Sequence, residues 1–146
     1  MKITIEFNDQ TKSGIEEDFI LKVAQKTLER EEFKSLNKKN ISISLAAVSE
    51  EEIKKMNSTY RKKDQATDVL SFAEYENAEE LKQVGDNLYL GEVILCYNYI
   101  EEKVKKENEN LKQELARIIS HGILHLLTLE HSQEMFLIQD EVSDSL

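Results

Sequence analysis

Three histidines offer the most distinctive chemistry in this sequence. His121, His125 and His131 are its only histidines. On a helix, residues four apart share one face, so His121 and His125 would lie one turn apart. A chain that turns after this helix can bring His131 back, so that three imidazole nitrogens reach one cation. The spacing therefore predicts a metal site with an open fourth position, which is typical of catalytic zinc, although nickel, copper and iron also accept imidazole.

The three histidines allow two other interpretations. Each histidine could simply be a partly buried polar residue with a hydrogen-bond partner. The spacing also matches that of metalloproteases in which a glutamate directly after the first histidine acts as general base. Gly122 occupies that position and has no side chain to accept a proton. Peptide hydrolysis is therefore disfavoured.

Composition narrows the class of protein. The chain has 146 residues, 40% of them hydrophobic and 33% charged, which predicts one globular domain over residues 1–146. Its net charge of −10 argues against a protein that coats nucleic acid without specificity, since that mode requires neutralising many phosphates. The single cysteine, Cys96, cannot form an internal disulfide and favours a reducing compartment. With neither a signal peptide nor an apolar run of about 20 residues, we expect a cytoplasmic protein without membrane contact.

The alternation of apolar residues predicts an α+β (mixed α/β) domain with about four strands in a mixed sheet and about five helices. A helical crossover between the first two strands favours parallel pairing, and the last two strands could pair antiparallel. Capping boxes at Ser13 with Glu16 and at Ser49 with Glu52 predict two helix starts. The polar segment 34–40 is predicted to be a loop. Strands are predicted at 1–7, 41–48, 68–72 and 88–96, and helices after Ser13 and at 49–60, 98–108 and 111–127, with weak helical periodicity beyond His131.

One basic segment stands out in this acidic chain. Arg61 has a planar guanidinium that can bind two phosphate oxygens at once. A local basic groove could attract RNA to one place on a protein that repels it elsewhere. These charges could instead only balance the acidic run 50–52 on a solvated helix. The neighbouring lysines are Lys54, Lys55, Lys62 and Lys63.

Three segments resemble the motifs of a known family, the YbeY endoribonucleases, or ribosomal RNA maturation factors. Residues 121–131 are similar to H-G-x-L-H-L-x-G-Y-D-H, and residues 90–96 to L-G-D-I-x-I-C. Residues 57–73 are similar to N-x-x-Y-R-x-K-D-x-P-T-D-V-L-S-F-P. The three segments follow the family's order and together are far more specific than the histidine spacing alone.

The resemblance implies a function and roles for particular residues. It implies that His121, His125 and His131 bind one zinc ion and that Arg61 is the key residue of a substrate groove, where we also expect Lys62 and Lys63. The implied activity is cleavage of single-stranded RNA, with maturation of the 3′ end of small-subunit ribosomal RNA and ribosome quality control. The implied partners are RNA and the small ribosomal subunit, with no DNA. We expect Arg61, His121 and Glu92 to be the catalytic residues.

The chain departs from the family motifs at several positions. Thr128 replaces the glycine that most easily ends a helix in the left-handed conformation. Glu92 replaces an aspartate and, beside Gly91 in a strand, could act as a proton shuttle in the groove or could face solvent. Tyr60 could stack a base, but core packing is the expected role of its ring. Two family prolines are alanines, at positions 66 and 73.

Two alternative functions remain open from the sequence. The chain could be a non-catalytic ribosome-assembly factor with a structural metal, or a metal-dependent hydrolase of another substrate. A deep closed pocket would favour the second alternative. For the endoribonuclease, the sequence does not decide whether water or the RNA 2′-hydroxyl attacks the phosphate.

Overall fold

A four-stranded sheet organises the chain. A computed structural model describes residues 1–146 and contains strands β1 (Lys2–Asp9), β2 (Asn40–Ala47), β3 (Val69–Ala73) and β4 (Asn87–Leu95). The strand order across the sheet is β1-β2-β4-β3. β2 pairs parallel to β1 and to β4, whereas β3 pairs antiparallel to β4. Both predicted pairings, and the α+β class with four strands in a mixed sheet, are therefore confirmed.

Six α-helices and one 3₁₀ helix surround the sheet. The 3₁₀ helix, Glu31–Leu36, overlaps the segment that was predicted to be a loop, so that prediction is wrong at its start. It forms because Phe33 and Leu36 are buried in the main core and hold this segment against the domain. The α-helices are α1 (Glu17–Leu28), α2 (Glu50–Arg61), α3 (Ala78–Gln83), α4 (Tyr97–Glu107), α5 (Leu111–Leu126) and α6 (Gln133–Asp144).

Of the two predicted capping boxes, the one at Ser49 is confirmed and the one at Ser13 is wrong. Ser49 caps α2, and its hydroxyl accepts a hydrogen bond from the Glu52 amide at 3.1 Å. Ser13 caps no helix, because its hydroxyl and amide both donate to the Asp9 carboxylate at 2.9 Å. The N-cap of α1 is Glu16, three residues later, and has no side-chain capping bond. The prediction at Ser13 is wrong because a strand-end carboxylate competes for the serine.

The apolar core lies mainly on one face of the sheet. That face is covered by α1, α5 and α6, with fully buried side chains such as Ile20, Ile119 and Ile138. The opposite face carries a smaller cluster built around Ile53 of α2 and Ile94 of β4. None of the helices has the length and apolar composition needed to cross a membrane.

A bulge in β4 decides which of its side chains face the main core. Ser42 is opposite Tyr89 and Ser44 is opposite Glu92, so β4 carries one extra residue at this point. Gly91 lies in the bulge with φ +129°, and a Cβ there would lie 2.2 Å from the Phe72 carbonyl oxygen. Because of the extra residue, Leu88 and Leu90 share the main core with Val93 and Leu95.

Helix α5 lies very close to the sheet. A Cβ on Gly122 would lie 2.8 Å from Cγ1 of Val93, so glycine allows the close approach. The Ser71 hydroxyl of β3 donates to the Gly122 carbonyl at 3.1 Å. This contact fixes the last two turns of α5, which carry two of the three histidines, relative to the edge of the sheet.

The bulge gives a stability prediction. Gly91→Ala should lower the free energy of unfolding by about 3 kcal/mol or more, because it combines a steric clash with an unfavourable φ. Thermal or urea unfolding of the purified variant measures the loss. Gly85→Ala is the matched control, since a Cβ there meets nothing within 4 Å and the φ is ordinary. Equal stability of the two variants would contradict the role of the bulge.

Candidate metal centre and substrate cleft

Helix α5 presents His121 and His125 on one face, as the spacing predicts. Their rings lie edge to face with centroids 4.6 Å apart. The same helix buries Ile118, Ile119 and Ile123 against the core, so the histidine face is held at the domain surface. Both histidines are half-buried, whereas His131 is exposed.

The turn after α5 brings His131 back to this face. The Leu129 amide donates to the Leu124 carbonyl at 3.0 Å, and the Thr128 amide donates to the His125 carbonyl at 2.9 Å. This pair of bonds is a Schellman motif. Thr128 takes the left-handed conformation with φ 71°, at a cost of about 1–2 kcal/mol for a residue with a Cβ. Replacement of the family's glycine therefore leaves the turn intact.

Three imidazole nitrogens converge on one point. Nε2 of His131 lies 3.0 Å from Nε2 of His125 and 3.3 Å from Nε2 of His121. Nitrogen ligands of a tetrahedral zinc ion, each at about 2.0–2.1 Å, are about 3.3 Å apart. The three histidines form a group whose ligand atoms all lie within 4.8 Å of one another. The donor set thus fits a single transition-metal ion.

Hydrogen bonds on the other ring nitrogens fix the orientation of two of these rings. Nδ1 of His125 donates to the Leu129 carbonyl at 3.0 Å, and Nδ1 of His121 donates to Oε1 of Gln139 at 2.7 Å. A neutral imidazole that donates through Nδ1 carries its lone pair on Nε2. The lone pairs therefore point into the space between the rings, as metal ligation requires.

Burial also favours the metal-binding protonation state. Removal from water lowers the pKa of His121 and of His125 below the ordinary value, because the charged imidazolium loses solvation. The neighbouring imidazoles act in the same direction. Both rings are thus held in the neutral form that binds a cation.

The histidines lie in an open cleft of about 670 Å³ that also contains Arg61. Nη2 of Arg61 donates to the Ser71 carbonyl at 2.8 Å, and the guanidinium lies over the Phe72 ring at 5.1 Å. Arginine has five N–H donors, so these contacts leave donors for a ligand in the cleft. The sequence-predicted cation and the three histidines are thus brought together at β3, the edge strand of the sheet.

The loop between α2 and β3 forms another wall of the cleft. Lys63 and Gln65 line the cleft from this loop. Nδ2 of Asn57, a residue that is 4% exposed, donates to the Gln65 carbonyl at 2.9 Å and fixes the loop's path. Lys62, by contrast, is the left-handed C-cap of α2 and is not among the residues that line the cleft.

The structure does not bring Glu92 to the histidines. Glu92 is the register partner of Phe72 and shares the face of Ile94, which belongs to the smaller cluster under α2. His121 and His125 extend from α5, which covers the other face. The β4 bulge sets this orientation, so a proton shuttle at Glu92 has no support from its placement.

Tyr60 also differs from its favoured interpretation as a core residue. Its side chain is 59% exposed, and its ring contacts the Phe72 ring edge to face at 5.3 Å. Cys96, in contrast, is fully buried, as expected of a small apolar residue.

Sequence reasoning missed two residues of the site. Gln139 is 1% exposed and orients His121, yet only its position on the apolar face of α6 could have revealed it. Asp68 is the one carboxylate that lines the cleft, and its charge acts on His121. In the sequence Asp68 begins the predicted strand 68–72, and nothing there indicates a role for its carboxylate.

Comparison with known proteins gives a consistent result. A family model described as Endoribonuclease YbeY matches residues 5–145. A relative from Finegoldia magna named Endoribonuclease YbeY is 41% identical over 99 residues, which cover 68% of this chain and 61% of the relative. One of the same name from Staphylococcus aureus is 33% identical over 146 residues, covering 95% of this chain and 93% of the relative.

The fold also matches a solved structure. The solution structure of a Thermotoga maritima protein superposes with a TM-score of 0.60 at 27% identity, covering 97% of this chain and 87% of the other. The family match spans nearly the whole chain and includes all three histidines and Arg61. This chain belongs to the YbeY endoribonuclease family.

Proposed function

We propose that this chain is a zinc-dependent endoribonuclease that cuts single-stranded RNA, and that it matures the 3′ end of small-subunit ribosomal RNA and takes part in ribosome quality control. The observation that carries the proposal is the convergence of three Nε2 atoms, at 3.0 and 3.3 Å, in the cleft that contains Arg61. Small-subunit ribosomal RNA and the small ribosomal subunit are the proposed partners, and the cytoplasm is the proposed location.

The form of the cleft supports a polymeric substrate. Arg61 and His131 are both exposed at its surface, so a phosphodiester within a longer strand can reach them. A hydrolase of small molecules typically encloses its substrate in a deeper pocket. The open cleft therefore favours a nucleotide chain over a small molecule.

The proposed residue roles follow from donor chemistry. His121, His125 and His131 would hold the zinc ion through Nε2, and the ion would supply Lewis acidity that stabilises negative charge on a phosphoryl oxygen. Arg61 would bind a neighbouring phosphoryl oxygen through the N–H groups that its contacts with Ser71 and Tyr60 leave available. The binding of charge by these residues stabilises the transition state of phosphodiester cleavage.

The first prediction concerns the exposed ligand. His131→Ala should remove stoichiometric zinc and RNA cleavage together, because two imidazoles bind the ion more weakly than three. The metal-free variant should unfold at the same temperature as the metal-free parent, since His131 is exposed. Metal analysis, a cleavage assay with chelation and zinc add-back, and thermal unfolding measure these effects. Glu134→Gln, at an exposed acid nearby, is the control, and tight zinc binding by His131→Ala would refute the ligand set.

A second prediction concerns the partner of His121. Gln139→Leu keeps a similar volume but removes the acceptor of the Nδ1–H bond, so zinc affinity should fall by about 10- to 100-fold. Gln139→Glu retains an acceptor and should bind zinc at least as tightly as the parent. Competition with a zinc chelator measures both affinities. If Gln139→Leu matched the parent, the orienting role would be rejected.

A third prediction distinguishes an endoribonuclease from a non-catalytic ribosome-assembly factor. Arg61→Ala should lower kcat/KM for RNA on the order of 100-fold, equivalent to about 2–3 kcal/mol for lost hydrogen bonds to a charged group. Zinc content should not change, because Arg61 lies outside the histidine group. Lys55→Ala, which breaks only a surface ion pair with Glu51, is the control. Undiminished cleavage by Arg61→Ala would instead favour a non-catalytic assembly factor.

A further inference from the structure

Phe136 is an exposed aromatic ring beside the metal-binding histidines. Its side chain is 45% exposed, although burial is the usual environment of phenylalanine. The ring lies nearly parallel to that of His131, with centroids 6.1 Å apart and an interplanar angle of 13°. His131 lines the cleft, and the Phe136 ring lies beside His131, so it offers an apolar face next to the cleft.

Packing in the hydrophobic core does not explain the position of Phe136. Helix α6 uses other residues for packing, and Met135 and Ile138 are fully buried. Phe136 therefore faces away from the core and contributes its ring to the surface at the site. The exposed ring offers a flat face on which a nucleobase can stack.

We propose, on the basis of the proposed function, that Phe136 is a substrate-positioning residue that stacks an unpaired base of RNA next to the histidines. Every nucleobase has a flat π-face, so stacking on an aromatic ring holds a strand in place whatever its sequence. A base inside a duplex already stacks on its neighbours and cannot use this surface. Stacking on Phe136 thus contributes to a preference for unpaired RNA.

Other exposed apolar side chains fit this role less well. The Tyr60 ring already makes an edge contact with Phe72, and the Tyr89 hydroxyl is hydrogen-bonded to Ser44 at 3.1 Å. Leu137 is 57% exposed but has no ring. Of these side chains, only Phe136 has an exposed ring that lies nearly parallel to the ring of one of the three histidines.

A competing explanation is that Phe136 only supports the His131 ring. In that case, loss of the aromatic ring would weaken zinc binding and leave contacts with a base unchanged. If Phe136 instead stacks a base, loss of the ring would leave zinc binding unchanged and remove the contact with the base. The two explanations can therefore be separated by measuring zinc affinity and base stacking independently.

The experiment uses zinc-loaded protein and a single-stranded RNA that carries one 2-aminopurine. Its 2′-O-methyl phosphorothioate backbone resists cleavage, and the fluorescence of the base falls when it stacks on a ring. With the label placed in turn at each position, we expect the parent to quench it at one position. Phe136→Leu should bind on the order of tenfold more weakly and lose that quenching at saturation, whereas Phe136→Trp should retain both.

Leu137→Ala is the matched control, because it removes exposed apolar surface from the adjacent position without removing a ring. It should bind and quench like the parent, and all four proteins should hold zinc with equal affinity. Quenching that persists in Phe136→Leu, or a loss of zinc affinity as its only defect, would overturn the stacking role while leaving the endoribonuclease function intact. If the parent neither binds this RNA nor cuts the natural backbone, the proposed function itself fails.

Discussion

Three imidazole nitrogens lie close together in this structure, at separations that favour a shared cation. At 3.0 and 3.3 Å, the Nε2 atoms of three neutral imidazoles repel unless a positive charge or a proton lies between them. Nδ1 bonds to Leu129 and Gln139 prevent two of the rings from turning away. Helix α5, the turn after it and α6 together hold the three rings in this arrangement. Much of the C-terminal third of the chain therefore positions one group of nitrogen atoms.

Ser71 joins the two halves of the cleft. Its carbonyl accepts from Arg61 at the end of α2, and its hydroxyl donates to Gly122 in the helix that carries the histidines. A strand residue at the sheet edge thus sets the relative position of the Arg61 guanidinium and the three histidines. A strand within a sheet is rigid, so it can hold these two groups at the fixed separation that a functional site needs.

Much of this organisation was predictable from local patterns in the sequence. The four strands and their pairing directions followed from the alternation and from the length of the connections. The pairing of His121 with His125 followed from helical spacing, and the approach of His131 from a turn expected after the helix. These features depend on the periodicity of the backbone, which a single sequence displays directly.

Other features depend on backbone irregularities and on competing or long-range contacts, which a local sequence pattern does not show. The extra residue in β4 moves Glu92 to the face opposite the histidines, because a bulge changes the face of every later side chain in the strand. Ser13 fails as a cap because the Asp9 carboxylate holds it. Gln139 reaches His121, and Phe136 lies beside His131, only because α6 packs back on α5, a long-range contact that no local pattern encodes.

The position of α6 in the chain has a consequence for biosynthesis. All four strands precede residue 96, whereas the histidines and Gln139 follow them. Translation begins at the amino terminus, and folding can start before the chain is finished. All residues of the β-sheet are therefore synthesised before Gln139, which orients His121. The histidine group can be assembled only at the end of synthesis, after the sheet on which it rests has been made.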